Sequence, residues 1–97
     1  MKTHYSEYCS HCLRYYARHR NPIHKDEVSA LNWKAAEQAV NALPDDQREF
    51  VLFIYQERDT LSQNVQTASI EFHVTVDYIW QTLHALEKEI ARLRRLI

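Results

Sequence analysis

Apolar positions recur at three- and four-residue spacing along most of the chain, and that period predicts helices rather than strands. Tyr5, Tyr8, Cys9, Cys12, Tyr16 and His19 fall on one face of a first helix running from about Tyr5 to His19. Glu7, His11, Arg14 and Arg18 fall opposite. Pro22 disfavours helical backbone at Asn21, so the pattern breaks there. Asp26 suits the N-cap of a second helix that reaches about Ala42. Its narrow apolar face holds Val28, Leu31, Ala35, Ala39 and Ala42, widened on one side by Trp33, Ala36 and Val40. Pro44 fits the first position of a third helix, and Asp45 and Asp46 then complement the dipole in its first turn. The run from Phe50 to Tyr55 is apolar all round, as in a helix surrounded by others. A short buried strand is the competing reading, but it would have no partner strand.

Thr60-Leu61-Ser62-Gln63 fits a capping box at the head of a short fourth helix. Leu61, Val65, Ala68 and Phe72 line one face of it. His73-Val74 interrupts the pattern, and Thr75 caps a last helix with Asp77 in its first turn. Along that helix Val76, Ile79, Leu83, Leu86, Ile90, Leu93 and Ile97 form an unbroken heptad stripe. At 1.5 Å per residue the stripe is a rod of roughly 30 Å. The stripe has two readings. It is the inner face of a bundle, or its distal half, from Glu87 onward, extends past the bundle and pairs with a second copy. Helix-turn-helix proteins often dimerise in that way, and a homodimer is expected on the second reading. The fold expected is therefore one all-α domain over residues 1–97, with about five helices in a small bundle and a long last helix. Residues 1–42 form an N-terminal helical pair. Residues 43–97 carry a helix-turn-helix at roughly Leu61 to Leu86.

Composition sharpens this picture. None of the 97 residues is glycine, where average usage of roughly 7% would give about seven. Dinucleotide loops, Walker loops, nucleophile elbows and EF-hand loops all need glycine and are excluded. Tight hairpin turns are disfavoured for the same reason. The net charge of −1 does not suggest a nucleic-acid or membrane binder from total charge alone. The charge is unevenly placed: by count, residues 1–42 carry +2 and residues 43–97 carry −3. No apolar run approaches membrane-spanning length, and the start lacks the apolar region of a signal peptide. A cytoplasmic location with reduced Cys9 and Cys12 is the expectation.

The short helix, three-residue break and hydroxyl-capped second helix outline a helix-turn-helix. Ser69 is small where the two helices pass closely. Phe72 and Val74 supply apolar plugs beside the turn, and Ile79 packs the second helix back onto the first. Together with Leu43-Pro44, Gln47-Arg48 and the apolar run to Tyr55, this pattern resembles the region-four domain of bacterial primary-type sigma factors and related regulators. The likeness covers about the last 55 residues. Size and the compact N-terminal segment also resemble small regulators of phages and conjugative elements in Firmicutes.

The resemblance implies a recognition helix that begins at Thr75 and enters the major groove of double-stranded DNA, in a domain that also docks on RNA polymerase. Thr75, Val76, Asp77, Tyr78, Gln81 and His84 are the groove-facing candidates. Gln81 is suited to adenine and Asp77 to cytosine. This chain departs from the family pattern in three ways. No Lys or Arg occurs between Arg58 and Lys88, His73 stands where the family often has Gly, and the stretch from Gln56 to Asn64 is longer and more polar. Phosphate contacts would have to come from Arg14, Arg18 and Arg20, aided by Arg92, Arg94 and Arg95.

An alternative expectation is a protein–protein interaction module of the same fold that binds RNA polymerase or another regulator through Tyr78 and Trp80. Such exposed aromatics are enriched in interface hot spots. The motif Cys9-x-x-Cys12 with His4, His11, His19 and His24 nearby lacks the second spaced pair of a structural zinc site. The two cysteines also lie on the apolar face, so buried thiols are expected, with no metal and no cofactor. No nucleophile, base and orienting acid stand in a known spacing, so neither an enzyme nor a small-molecule substrate is expected.

Overall fold

The computed structural model describes residues 5–19 and 26–97. They form five helices: α1 (Ser6–Arg18), α2 (Glu27–Asn41), α3 (Asp45–Gln56), α4 (Leu61–Phe72) and α5 (Val76–Leu93). The described residues include no strand, so the apolar run in α3 is helical. The helix starts and most of the ends lie within a residue or two of the spans the sequence predicts, because the caps set them; α5 is the exception and stops at Leu93, four residues short of Ile97. Asp26, Thr60 and Thr75 have extended backbone, and their side chains accept the N–H of Ser29, Gln63 and Tyr78 respectively. Each such cap is worth about 1 kcal/mol against alanine. Pro44 sits one place earlier than expected, as the N-cap of α3 rather than its first helical residue.

One core joins all five helices. Cys9, Cys12, Leu13, Tyr16 and Ala17 of α1 meet Trp33, Ala36, Ala39 and Val40 of α2 and Phe50, Val51, Ile54 and Tyr55 of α3. Val65 and Ala68 of α4 and Ile79, Leu83, Leu86 and Ile90 of α5 close it. α1 packs against α2, α3 and α5, so it is buried more widely than one stripe and also covers Ser6 and Ser10.

α2 is rotated from its expected face. Val28 and Leu31 are 55% and 43% exposed, and Ala42 is exposed as well, while Asn32, Trp33, Ala35 and Ala36 are buried. Trp33 sets this rotation. Its ring meets Tyr16 edge-on at 5.2 Å and its Nε1–H donates to the His19 carbonyl at 2.7 Å. Turning Val28 and Leu31 inward would turn that large side chain out. Asn32 then becomes a buried hub, accepting from the Tyr8 hydroxyl at 2.7 Å and from Arg94 Nε at 2.8 Å.

The link from α3 to α4 turns without glycine because Asn64 holds it. Its buried Nδ2 donates to the carbonyls of Ile54, Glu57 and Asp59 at 2.9, 3.2 and 3.2 Å. Ile54 and Glu57 carry carbonyls that the end of α3 leaves unpaired, and Asp59 belongs to the link itself.

α5 ends at Leu93 in a Schellman arrangement. Arg95 is left-handed at φ 60°, Leu96 N–H reaches Ala91 O and Arg95 N–H reaches Arg92 O. Leu83, Leu86 and Ile90 are buried within the chain's own bundle. The stripe from Ile79 to Ile90 is therefore an inner face of the chain's own bundle, while Leu93 is half-buried and Ile97 lies beyond the end of α5 and is 57% exposed.

Candidate nucleic-acid interface

α4, the turn at 73–75 and α5 form the helix-turn-helix outline. The turn is closed by Ser69. Its carbonyl accepts from both His73 N–H and Val74 N–H, the latter at 3.2 Å, and its hydroxyl donates to the Val74 carbonyl at 2.6 Å. This geometry demands a left-handed residue at 73, and His73 takes it at φ 55°, ψ 44°. Ser69 is thus more than a small residue at a close approach, since it holds the turn with three hydrogen bonds. Phe72 reaches the other way and packs edge-on against Phe50 at 6.3 Å and Phe53 at 5.5 Å, which fastens the unit to α3.

The exposed face of α5 carries Asp77, Gln81, His84 and Lys88 at four- and three-residue spacing, with Thr75 exposed at the cap. Four of the six expected groove residues are therefore presented together. Two are not. Val76 is half-buried against the core, and Tyr78 packs its ring on Phe50 at 6.0 Å. The Tyr78 hydroxyl accepts from Gln47 Nε2 at 2.6 Å. A phenol held at both ends by α3 is not free to read a base, nor to anchor a partner as an exposed aromatic would. Lys88 continues the same exposed face one turn beyond the groove residues named from the sequence.

Trp80 lies on the other flank, half-buried, with its ring 5.8 Å from that of His84. Both line a cleft of about 940 Å³ between α1, the first turn of α4 and α5. Arg14 enters this cleft from α1. It was expected on a solvated face as a phosphate contact, and it is instead half-buried opposite the recognition helix. At the cleft floor Ser6 Oγ donates to the Glu87 carboxylate at 3.2 Å, and Cys9 Sγ donates to the Glu87 carbonyl at 3.3 Å.

Arg18 is exposed and donates to the Glu57 carbonyl at 3.1 Å, so it ties α1 to the C-terminal cap of α3. Beside it a shallow depression of about 440 Å³ is lined by Arg18, His19 and Arg58. Arg58 was not singled out from the sequence. It joins Arg18 only through the packing of α1 on α3, which no local pattern encodes. Arg20 lies outside the described residues. The C-terminal arginines are partly committed: Arg92 pairs with Glu89, and Arg94 binds Asn32.

The cysteines are fully buried. Burial first, then Cys12 and Glu87, pushes the Cys9 thiol up to about 12. Burial pushes the Cys12 thiol up to about 11, against an opposing pull from Arg94. Neither is a reactive thiolate near neutral pH. Among the described residues no group of three or more His, Cys, Asp or Glu could hold a metal ion, and no helix is long and apolar enough to cross a membrane. Comparison with protein-family models, with curated proteins and with solved structures finds no match to this chain.

Proposed function

We propose that the chain is a sigma-like transcriptional regulator that binds double-stranded DNA by laying α5 in the major groove. The single observation that carries this reading is the stripe of Asp77, Gln81, His84 and Lys88, presented at the outer face of a capped helix-turn-helix. Gln81 has the donor and acceptor pair that suits adenine, and Asp77 accepts from cytosine. The positive charge that the first turns of α5 lack is supplied from outside the motif. Arg18 and Arg58 stand together at the α1 and α3 ends, and Lys88 stands further along α5. The exposed first turn of α4 offers its amides and the Ser62 and Gln63 side chains to a phosphate backbone.

Selection of bound duplexes from a random pool tests this directly. Enrichment of a consistent motif, lost in Gln81→Ala, supports the reading. Failure to retain any duplex at low salt rules it out.

A second reading has its own observation. Ile70 on α4 is 76% exposed, and the face of α5 between the cap and His84 carries a negative charge and no lysine or arginine. That pairing suits a protein partner, such as RNA polymerase or another regulator, better than it suits a phosphate backbone. Retention on immobilised RNA polymerase that is lost in Ile70→Glu, with no duplex binding, would favour this reading over the first.

A further inference from the structure

The cleft between α1, α4 and α5 is large for a 97-residue chain, at the upper end of the roughly 300–1,000 Å³ typical of small-molecule sites. Its walls differ in chemistry. One side is the tilted Trp80–His84 ring pair, with Leu61 beside it. Arg14 enters opposite, half-buried, and makes no hydrogen bond or ion pair with another described residue. The first turn of α4 lines the same end with Thr60, Leu61 and Ser62. The Thr60 hydroxyl is committed to Gln63 N–H, and a helix offers no internal acceptor to its first amides. Glu7 and Glu87 also line the cleft, and Ser6, which donates to Glu87, stands two turns from Arg14 along α1, roughly 12 Å by helical rise.

We propose that this cleft binds a small planar organic anion, with its ring against Trp80 and His84 and its carboxylate or phosphate on Arg14. A flat ring stacks on the aromatic wall, and among the described lining residues Arg14 carries the fixed positive charge, with the first amides of α4 at the same end. The inference does not depend on DNA binding, and its test uses none.

The 97-residue chain is titrated with indole-3-acetate and with adenosine monophosphate, which separate a carboxylate from a phosphate source. Indole and adenosine serve as the uncharged counterparts. Tryptophan fluorescence and calorimetry report binding. Saturable binding of either anion is expected, at least tenfold tighter than its uncharged counterpart. The fluorescence change should vanish in Trp80→Phe, which keeps Trp33. Arg14→Gln should weaken binding by roughly ten- to a hundredfold, as loss of a charge-assisted hydrogen bond does. Arg92→Gln, outside the cleft, should leave it unchanged. Circular dichroism checks that the variants fold. If Arg14→Gln does not, His84→Ala, at an exposed position, should weaken binding severalfold instead. Three results would each overturn the proposal: no saturable binding of either anion up to millimolar concentration, equal binding of the uncharged counterparts, or unchanged affinity in the cleft variants.

Discussion

Replacing His73 by glycine should stabilise the protein. His73 is exposed, so the substitution removes little packing, and the Ser69 carbonyl keeps both of its backbone donors. What changes is the backbone energy at φ 55°, ψ 44°. A residue with a Cβ occupies that region at a cost of roughly 1–2 kcal/mol, which glycine avoids. Glycine also loosens the unfolded chain, which offsets about 0.4–1 kcal/mol of the gain. The net expectation is about 0.5–1 kcal/mol of added stability, toward the lower end because histidine is one of the residues that tolerates this region best. For a domain of this size that corresponds to a rise in Tm of about 3–6 °C. Urea titration followed by circular dichroism at two wavelengths would measure it, with the slope unchanged between variants. His73→Val provides the opposite arm, because a branched Cβ is a poor fit to positive φ and should cost about 1 kcal/mol or more. A glycine variant less stable than the parent, or a valine variant equal to it, would refute the account of this turn. The imidazole, rather than the Ser69 clamp, would then be holding it.

Other expectations follow from the same structure. Asn64→Ala should destabilise by roughly 1–3 kcal/mol in the same titration, because the carbonyls of Ile54, Glu57 and Asp59 lose their donor, the first of them at a buried site. Asn64→Asp should fare no better, since a carboxylate cannot donate. The thiols give a pH dependence whose sign is set by burial. Cys9 and Cys12 titrate near 12 and 11 in the folded chain against a reference of 9.0, so their contribution is intact below pH 9 and is lost as pH rises towards 11–12. Stability measured across that window should fall, by less in Cys9→Ala once corrected for its own loss of packing. At pH 8 both thiols should resist a thiol reagent until denaturant is added. If the chain binds DNA as proposed, Arg18→Gln and Arg58→Gln should each flatten the dependence of log affinity on log salt by about 0.9. Gln81→Ala should instead change sequence preference and leave that slope alone.

The existence and the ends of the helices were legible in the sequence for local reasons. Asp26, Thr60 and Thr75 cap helices wherever they stand before a periodic apolar run, because the orphan amides they satisfy belong to the same few residues. The missing glycines had a local consequence too. With no glycine to take it, the left-handed position between α4 and α5 falls to His73.

Which way a helix turns is a different matter. The period of α2 allowed Val28 and Leu31 to face inward, and the bulk of Trp33 against Tyr16 decided otherwise. The heptad stripe of α5 suited a second copy as well as its own bundle, and packing of α5 against α1, α2 and α4 used it. Tyr78 lay off that stripe and read as a free aromatic until Phe50 and Gln47 of α3 took both its ring and its hydroxyl.

The site divides along the same line. Asp77, Gln81 and His84 share a face by helical spacing alone, so sequence found them. Arg14 opposite Trp80, and Arg18 beside Arg58, are neighbours only because separate helices cross. Periodicity specifies the azimuth of a side chain about its own helix axis. What stands across from it depends on how the remaining helices fill the core, and for this chain that tertiary choice decided where the positive charge and the cleft lie.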